Sequence, residues 1–215
     1  MSEDKIFYVC SYGGSGSWML CDALAKYGLI RHIHSRNPPN KLTYHGHYYE
    51  GNSYEEWFNN ITNPEDKLKD WYTYVEWFNN IPISEDKLKK YYVIYIYRNP
   101  SFAIPSRFYM PEHLEHIQID KNIKLEDVLT TGEDLYKIRE FYDNYIKPNE
   151  KRNYKIYCVK YEDIFDKQDE LSNLLEIGKL NIVNKSDRKD SNKELDKIYA
   201  DLIEEMNKND FIIIS

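Results

Sequence analysis

Residues Tyr91–Tyr97 read Tyr-Tyr-Val-Ile-Tyr-Ile-Tyr, a run made only of β-branched and aromatic side chains. With no polar alternation, such a run predicts a strand buried on both faces, as in a parallel sheet with helices on either side. Arg98-Asn99-Pro100 ends it, because Pro supplies no ladder N–H. A strand of this kind needs parallel neighbours. The chain offers Ile6–Ser11, Leu29–His34 and Tyr154–Tyr161, each short and apolar. Helical periodicity falls between and after them: Ser17–Tyr27 with Gly28 as its stop, Ser101–Tyr109, Leu125–Ile146 with a break near Gly132, Glu162–Ile177 and Asn192–Met206. Strands alternating with helices predict an α/β domain with a central, mainly parallel sheet flanked by helices in three layers.

The length of 215 residues fits one such domain, residues 1–215. One segment stands apart. YEEWFNNITNPEDKLK at 54–69 recurs as YVEWFNNIPISEDKLK at 74–89. Two copies are too few for a solenoid, so the expectation is a tandem duplication that lengthens an insertion around 54–89. Trp57 and Trp77 within it offer flat walls for a sugar or phenol, or serve only as loop anchors. The net charge of −7 argues against a broad nucleic-acid-binding face but leaves room for a local basic pocket. The three cysteines, Cys10, Cys21 and Cys158, share no repeated spacing and predict reduced thiols rather than a disulfide framework or zinc site. The polar start Met1–Lys5 gives no leader pattern and no run nears the roughly 20 apolar residues of a membrane span, so a cytoplasmic location is expected. Tyrosine is abundant, 21 against 8 Phe, and replaces Phe in the core wherever a hydroxyl finds a partner.

The first strand runs into Ser11-Tyr12-Gly13-Gly14-Ser15-Gly16-Ser17-Trp18 and then a helix. Backbone N–H groups at a helix start point outward and the helix dipole favours negative charge, so this turn predicts an anion site. Ser11, Ser15 and Ser17 add hydroxyls. A nucleotide-triphosphatase loop would need Gly-x-x-x-x-Gly-Lys-[Ser/Thr]. Here Ser17 follows Gly16 and the turn holds no lysine. Arg98, at the end of the strongest strand, offers a planar fork suited to phosphate.

This turn resembles the phosphosulfate loop of the sulfotransferases, [Ser/Thr]-Tyr-Pro-Lys-Ser-Gly-Thr-Thr. Arg98-Asn99-Pro100 with Ser106 eight residues after the Arg resembles that family's second motif, and Tyr157–Phe165 (YCVKYEDIF) its later strand. Arg188-Lys189-Asp190 resembles the C-terminal Arg-Lys-Gly, with Asp in place of Gly. The resemblance implies a P-loop-like fold and a metal-free reaction. A sulfuryl group would pass from 3′-phosphoadenosine-5′-phosphosulfate to a hydroxyl or amine of a small-molecule, carbohydrate or tyrosine acceptor. It implies that Tyr12, Gly13, Gly14, Ser15, Gly16, Ser17 and Trp18 hold the 5′-phosphosulfate. Arg98 and Ser106, with Arg188 and Lys189, hold the 3′-phosphate, and Tyr161 faces the adenine.

The chain departs from the family at Gly14, where the loop lysine would fall. Arg36 or Lys41 reaching in, backbone N–H groups alone, or binding without efficient transfer are the alternatives. The general base is open among His34, His45 and a carboxylate such as Glu50, with His47 beside His45; Arg36 occupies the position of the family's histidine. His113 and His116 sit three apart, too few for a metal site, and belong to an acceptor lid or the surface. An atypical kinase and a catalytically silent nucleotide-binding protein are the rival functions.

Overall fold

The computed structural model describes residues 5–42, 83–108, 114, 117–183 and 191–215. It contains a five-stranded sheet in the order β2-β1-β3-β4-β5: β1 is Ile6–Cys10, β2 Leu29–Ile33, β3 Tyr91–Tyr97, β4 Ile156–Lys160 and β5 Ile212–Ile214. The first four strands are parallel, and β5 pairs antiparallel with β4. The helices are α1 (Ser17–Leu24), α2 (Glu85–Leu88), α3 (Pro100–Phe108), α4 (Leu125–Thr131), α5 (Ile138–Ile146), α6 (Ile164–Leu174), α7 (Lys193–Ile198) and α8 (Ala200–Lys208). This is the three-layer α/β arrangement with a mainly parallel sheet that the alternation of strand and helix implied.

The two-sided apolar pattern of β3 has its cause in the layers. Val93, Tyr95 and Tyr97 face one core with Phe141, Tyr145, Val128 and Leu202, from α5, α4 and α8. Ile94 and Ile96 face a second core with Leu20, Leu24, Ile164 and Leu171, from α1 and α6. Burying a large apolar side chain in either core is worth about 1.5–3 kcal/mol. Buried tyrosines do more than replace Phe. The Tyr145 ring stacks on Tyr95 at 4.4 Å while its hydroxyl donates to the Ser35 carbonyl at 2.7 Å.

The break expected near Gly132 is present: the stretch 125–146 is two helices, because Gly132 closes α4 in the left-handed conformation. Other boundaries differ from the sequence expectation. The helix expected from Glu162 begins with a single tight turn, Tyr161–Asp163, before α6. The helix expected over 192–206 is broken at Tyr199. Strand β5, at the chain end, and α2, inside the second repeat copy, have no counterpart in the sequence pattern. Residues 54–82 of the repeat lie outside the described residues.

The strand order decides where a ligand would sit. From β1 the chain crosses to β2 on one side and to β3 on the other, so the carboxyl ends of β1 and β3 flank a topological switch point. Register then places specific residues there. Cys10 pairs with Ile33 and Tyr95, and Tyr97 with Lys160. Ser11, His34, Arg98 and Tyr161 therefore all leave the same edge of the sheet.

Candidate functional site: the turn after the first strand

At that edge the chain turns through Tyr12–Gly16 into α1. Gly13, Gly14 and Gly16 take φ of +105°, +68° and +77°. Gly16 stands at the N-cap of α1 with no side-chain cap. Among the described residues, the backbone N–H groups of 13–18 donate to no carbonyl or side chain; the first bond of the helix is Leu20 N–H to Gly16 O, 3.2 Å. Six consecutive amides without an acceptor among the described residues, in a backbone with repeated left-handed glycines, are a set of donors open to a ligand.

Arg98 closes one side. It is 9% exposed. Its Nη1 donates to the Gly14 carbonyl at 3.3 Å. Its guanidinium lies over the Tyr161 ring at 4.3 Å and the Phe102 ring at 5.0 Å. Contacts of this type are worth about 0.5–2 kcal/mol and fix the plane of the fork. Asn99 sets the strand end: its N–H donates to Glu162 Oε1 at 2.9 Å, and its Oδ1 accepts from Ser101 N–H at 2.8 Å, opening α3.

Gly14 presses on α3. A Cβ there would lie 2.6 Å from the Ala103 carbonyl oxygen and 2.7 Å from Ser106 Cβ. Gly16 presses on Tyr161, whose ring carbon would be 2.5 Å from a Cβ. So Gly14, Gly16, Arg98, Ser106 and Tyr161 form one contiguous surface. No side chain, lysine included, fits at position 14 unless α3 moves.

The hydroxyls behave differently from the amides. Ser15 donates inward to Gly13 O at 3.3 Å. Ser11 Oγ donates to Ser17 Oγ at 3.0 Å, and Ser17 Oγ lies 2.9 Å from His32 Nε2. His34 Nδ1 is 2.8 Å from the Ser11 carbonyl and 3.3 Å from Ser11 Oγ. A carbonyl only accepts, so Nδ1 of His34 carries a hydrogen, and in the neutral ring the lone pair is on Nε2. Trp18 is 69% exposed at the mouth of the turn, edge-on to His32 at 4.7 Å. No motif singles out His32 as a site residue; its spacing of two from His34, the residue just past the end of β2, is the signal that places both rings on one face.

Tyr12 is buried, edge-on to Phe141. Arg36 turns toward α5, with Nη1 3.6 Å from Glu140 Oε2 and Nη2 3.5 Å from Gln118 Oε1. Lys41 is exposed. His45, His47, Glu50, Trp57, Trp77, His113, His116, Arg188 and Lys189 lie outside the described residues. A cavity of about 740 Å³ lies along α5, lined by Asp134, Arg139, Glu140, Asp143, Asn144 and Arg152 among others, and no residue of the turn lines it. Two of its cations face carboxylates: Arg139 meets Glu205 at 2.6 Å and Asp143 at 3.4 Å, and Lys147 meets Asp143 at 2.8 Å. Among the described residues, no group of three or more His, Cys, Asp or Glu side chains is placed to hold a metal ion, and no helix is long and apolar enough to cross a membrane.

No protein-family model matches the chain, and no curated protein matches it. Among solved structures it is similar to mouse sulfotransferase SULT7A1 complexed with PAP, at 15% identity and a TM-score of 0.36, over 97% of this chain and 69% of that one.

Proposed function

We propose that the chain binds 3′-phosphoadenosine-5′-phosphosulfate at the turn and at Arg98 and transfers its sulfuryl group to a hydroxyl or amine acceptor. The observation that carries the reading is the row of six amides, 13–18, beside a buried guanidinium that touches the same turn. Backbone N–H groups would take the 5′-phosphosulfate. Arg98 and Ser106, with Arg188 and Lys189, would take the 3′-phosphate, and the Tyr161 ring would border the adenine. The acceptor oxygen attacks sulfur in line, the new S–O bond forms as the bridging S–O bond breaks, and adenosine 3′,5′-bisphosphate departs. His34, whose Nδ1 is held by the Ser11 carbonyl, would take the acceptor's proton on Nε2, and His45 is the alternative. Positioning and fixed dipoles supply most of the rate in this reading.

Titration calorimetry tests it. Adenosine 3′,5′-bisphosphate should bind more tightly than 5′-AMP by about 10- to 100-fold, the worth of charge-assisted bonds to one phosphate. Arg98→Ala should erase that preference while leaving 5′-AMP binding nearly intact. Equal affinities in the wild-type protein would refute the assignment. The tight packing at Gly14 favours a second reading, nucleotide binding without efficient transfer. Release of the bisphosphate over a panel of phenol, sugar and amine acceptors in EDTA separates the two.

A further inference from the structure

The guanidinium of Arg98 is held from three segments of the chain. Its Nη1 donates to the Gly14 carbonyl at 3.3 Å, in the turn after β1. The Tyr161 ring lies 4.3 Å from its central carbon, reaching in from the tight turn after β4. The Phe102 ring lies 5.0 Å from the same carbon, reaching in from the start of α3. These supports are themselves anchored. Phe102 N–H donates to the Asn99 carbonyl at 3.0 Å, which fixes the first turn of α3 just past Arg98. Asn99 N–H donates to Glu162 Oε1 at 2.9 Å, so the segments that carry the two rings are tied together at their base. Tyr161 meets Phe165 edge-on at 5.3 Å, and Gly16 presses so closely on its ring that a Cβ there would lie 2.5 Å away.

An arginine in solvent samples many rotamers, and an anion that binds it must first order it; a guanidinium already ordered binds without that cost. The planar fork also recognises phosphate by direction, so its plane matters as well as its charge. An aromatic ring against a guanidinium restrains that plane without bringing a carboxylate that would compete with the ligand. Arg98 is 9% exposed and Tyr161 8%. A ring so enclosed, bordered by Arg98, Phe165 and Gly16, offers no open face to a stacked base. We infer that Phe102 and Tyr161 are positioning residues that act through Arg98, pre-setting its guanidinium so that the site selects a ligand with a 3′-phosphate over one without it. Tyr161 then serves the phosphate end of the nucleotide, and the adenine meets no more than its edge. The inference rests on Arg98 taking the 3′-phosphate, as proposed above.

The test compares adenosine 3′,5′-bisphosphate with 5′-AMP by titration calorimetry on the full chain, at one pH and one salt concentration. The readout is the ratio of the two affinities. A loss of stability or of general nucleotide binding moves both ligands and leaves that ratio alone. Phe102→Leu and Tyr161→Leu keep apolar volume and remove a ring, and each should lower the ratio about 3- to 10-fold. Phe102→Tyr and Tyr161→Phe keep a ring and should hold the ratio within about twofold of the wild type. In an Arg98→Ala background, Phe102→Leu should leave the ratio unchanged, because the residue it acts through is gone.

A Leu variant that keeps the full ratio overturns the inference alone, as does a ratio that still falls when Arg98 is absent. No preference for the bisphosphate in the wild-type protein overturns it together with the reading it rests on. Nuclear spin relaxation of the Arg98 Nε–H in the ligand-free wild-type protein follows the same guanidinium without a variant. An order parameter above about 0.6, the level below which a group counts as flexible, supports the inference, and one below it overturns it.

Discussion

At the scale of single residues, Gly14 combines two constraints that are separable. Its φ of +68° disfavours any side chain by about 1–2 kcal/mol, and its Cβ would strike the Ala103 carbonyl and Ser106 Cβ. Gly132 provides the control, because it has φ +69° and nothing within 4 Å of a built Cβ. Gly132→Ala should therefore cost only about 1–2 kcal/mol in urea unfolding. Gly14→Ala should cost about 1–3 kcal/mol more, the range for forcing atoms into a packed site. Gly14→Lys, which puts a lysine where the sulfotransferase loop that this turn resembles has one, should lose stability at least as much and gain no nucleotide affinity. Equal costs at the two glycines would show that α3 yields freely to a side chain at position 14. From sequence, Gly14 was visible as a departure from a pattern but its cause was not. The contact with α3 joins positions 89 residues apart in the case of Ala103, and no local rule reports such a contact.

At the scale of elements, the hydrogen bonds at helix ends explain how distant segments come to the site. Pro105 lies inside α3 and has no N–H for the Ser101 carbonyl one turn back. That carbonyl instead accepts from Asn192 N–H at 3.5 Å, which ties the start of α7 to α3. Asn192 then caps α7 through its Oδ1, bonded to the Glu194 and Leu195 amides. Asp134 does the same for α5, accepting from the Ile138 and Arg139 amides at 3.1 and 2.9 Å, and also takes the Tyr199 hydroxyl at 2.8 Å from the α7–α8 junction. Asp134→Ala should cost about 2 kcal/mol, cap and lost partner together, and Tyr199→Phe about 1 kcal/mol. In the double variant the losses should fall short of additive by about 1 kcal/mol. Strict additivity in denaturant unfolding would mean the shared carboxylate does not couple the helices. The elements themselves were legible wherever period and punctuation agreed: β3 carries its expected bounds, and β1, β2 and α1 are off only at their ends. The break at Tyr199 was hidden because apolar spacing continues across it, and β5 because three isoleucines at a chain end give too short a period to read. The candidate site was half legible. The turn and Arg98 were found as separate motifs, and only the strand order 2-1-3 brings them to one edge.

At the scale of the whole molecule, one sheet separates two cores that are both rich in groups able to lose a proton. Burial pushes the Cys21 and Cys158 thiols up to about 12. Burial also raises the Cys10 thiol and the Tyr95 and Tyr145 hydroxyls well above their ordinary ranges. Cys10 and Cys158 sit in one core and Cys21 in the other, so neither layer escapes the effect. Linkage fixes the sign. In the unfolded chain a thiol ionises near about pH 8.5, whereas in the folded chain it stays protonated, so above that pH the folded state holds more protons and stability falls as pH rises. Below about pH 8 these groups are protonated in both states and contribute no slope. Above it, each thiol adds about 1.4 kcal/mol per pH unit, so three together approach about 4 kcal/mol per unit before the tyrosines join near about pH 10. A domain of this size holds about 5–15 kcal/mol in reserve, which that slope exhausts within a few units. The urea midpoint should therefore be flat from about pH 7 to 8 and drop steeply between about pH 9 and 11. The tyrosinate absorbance of the buried rings, Tyr95 and Tyr145 among them, should appear together with loss of the far-ultraviolet helix signal, in one transition. Ionisation of those buried rings near about pH 10 with the helices intact would mean that the sheet does not keep both cores dry.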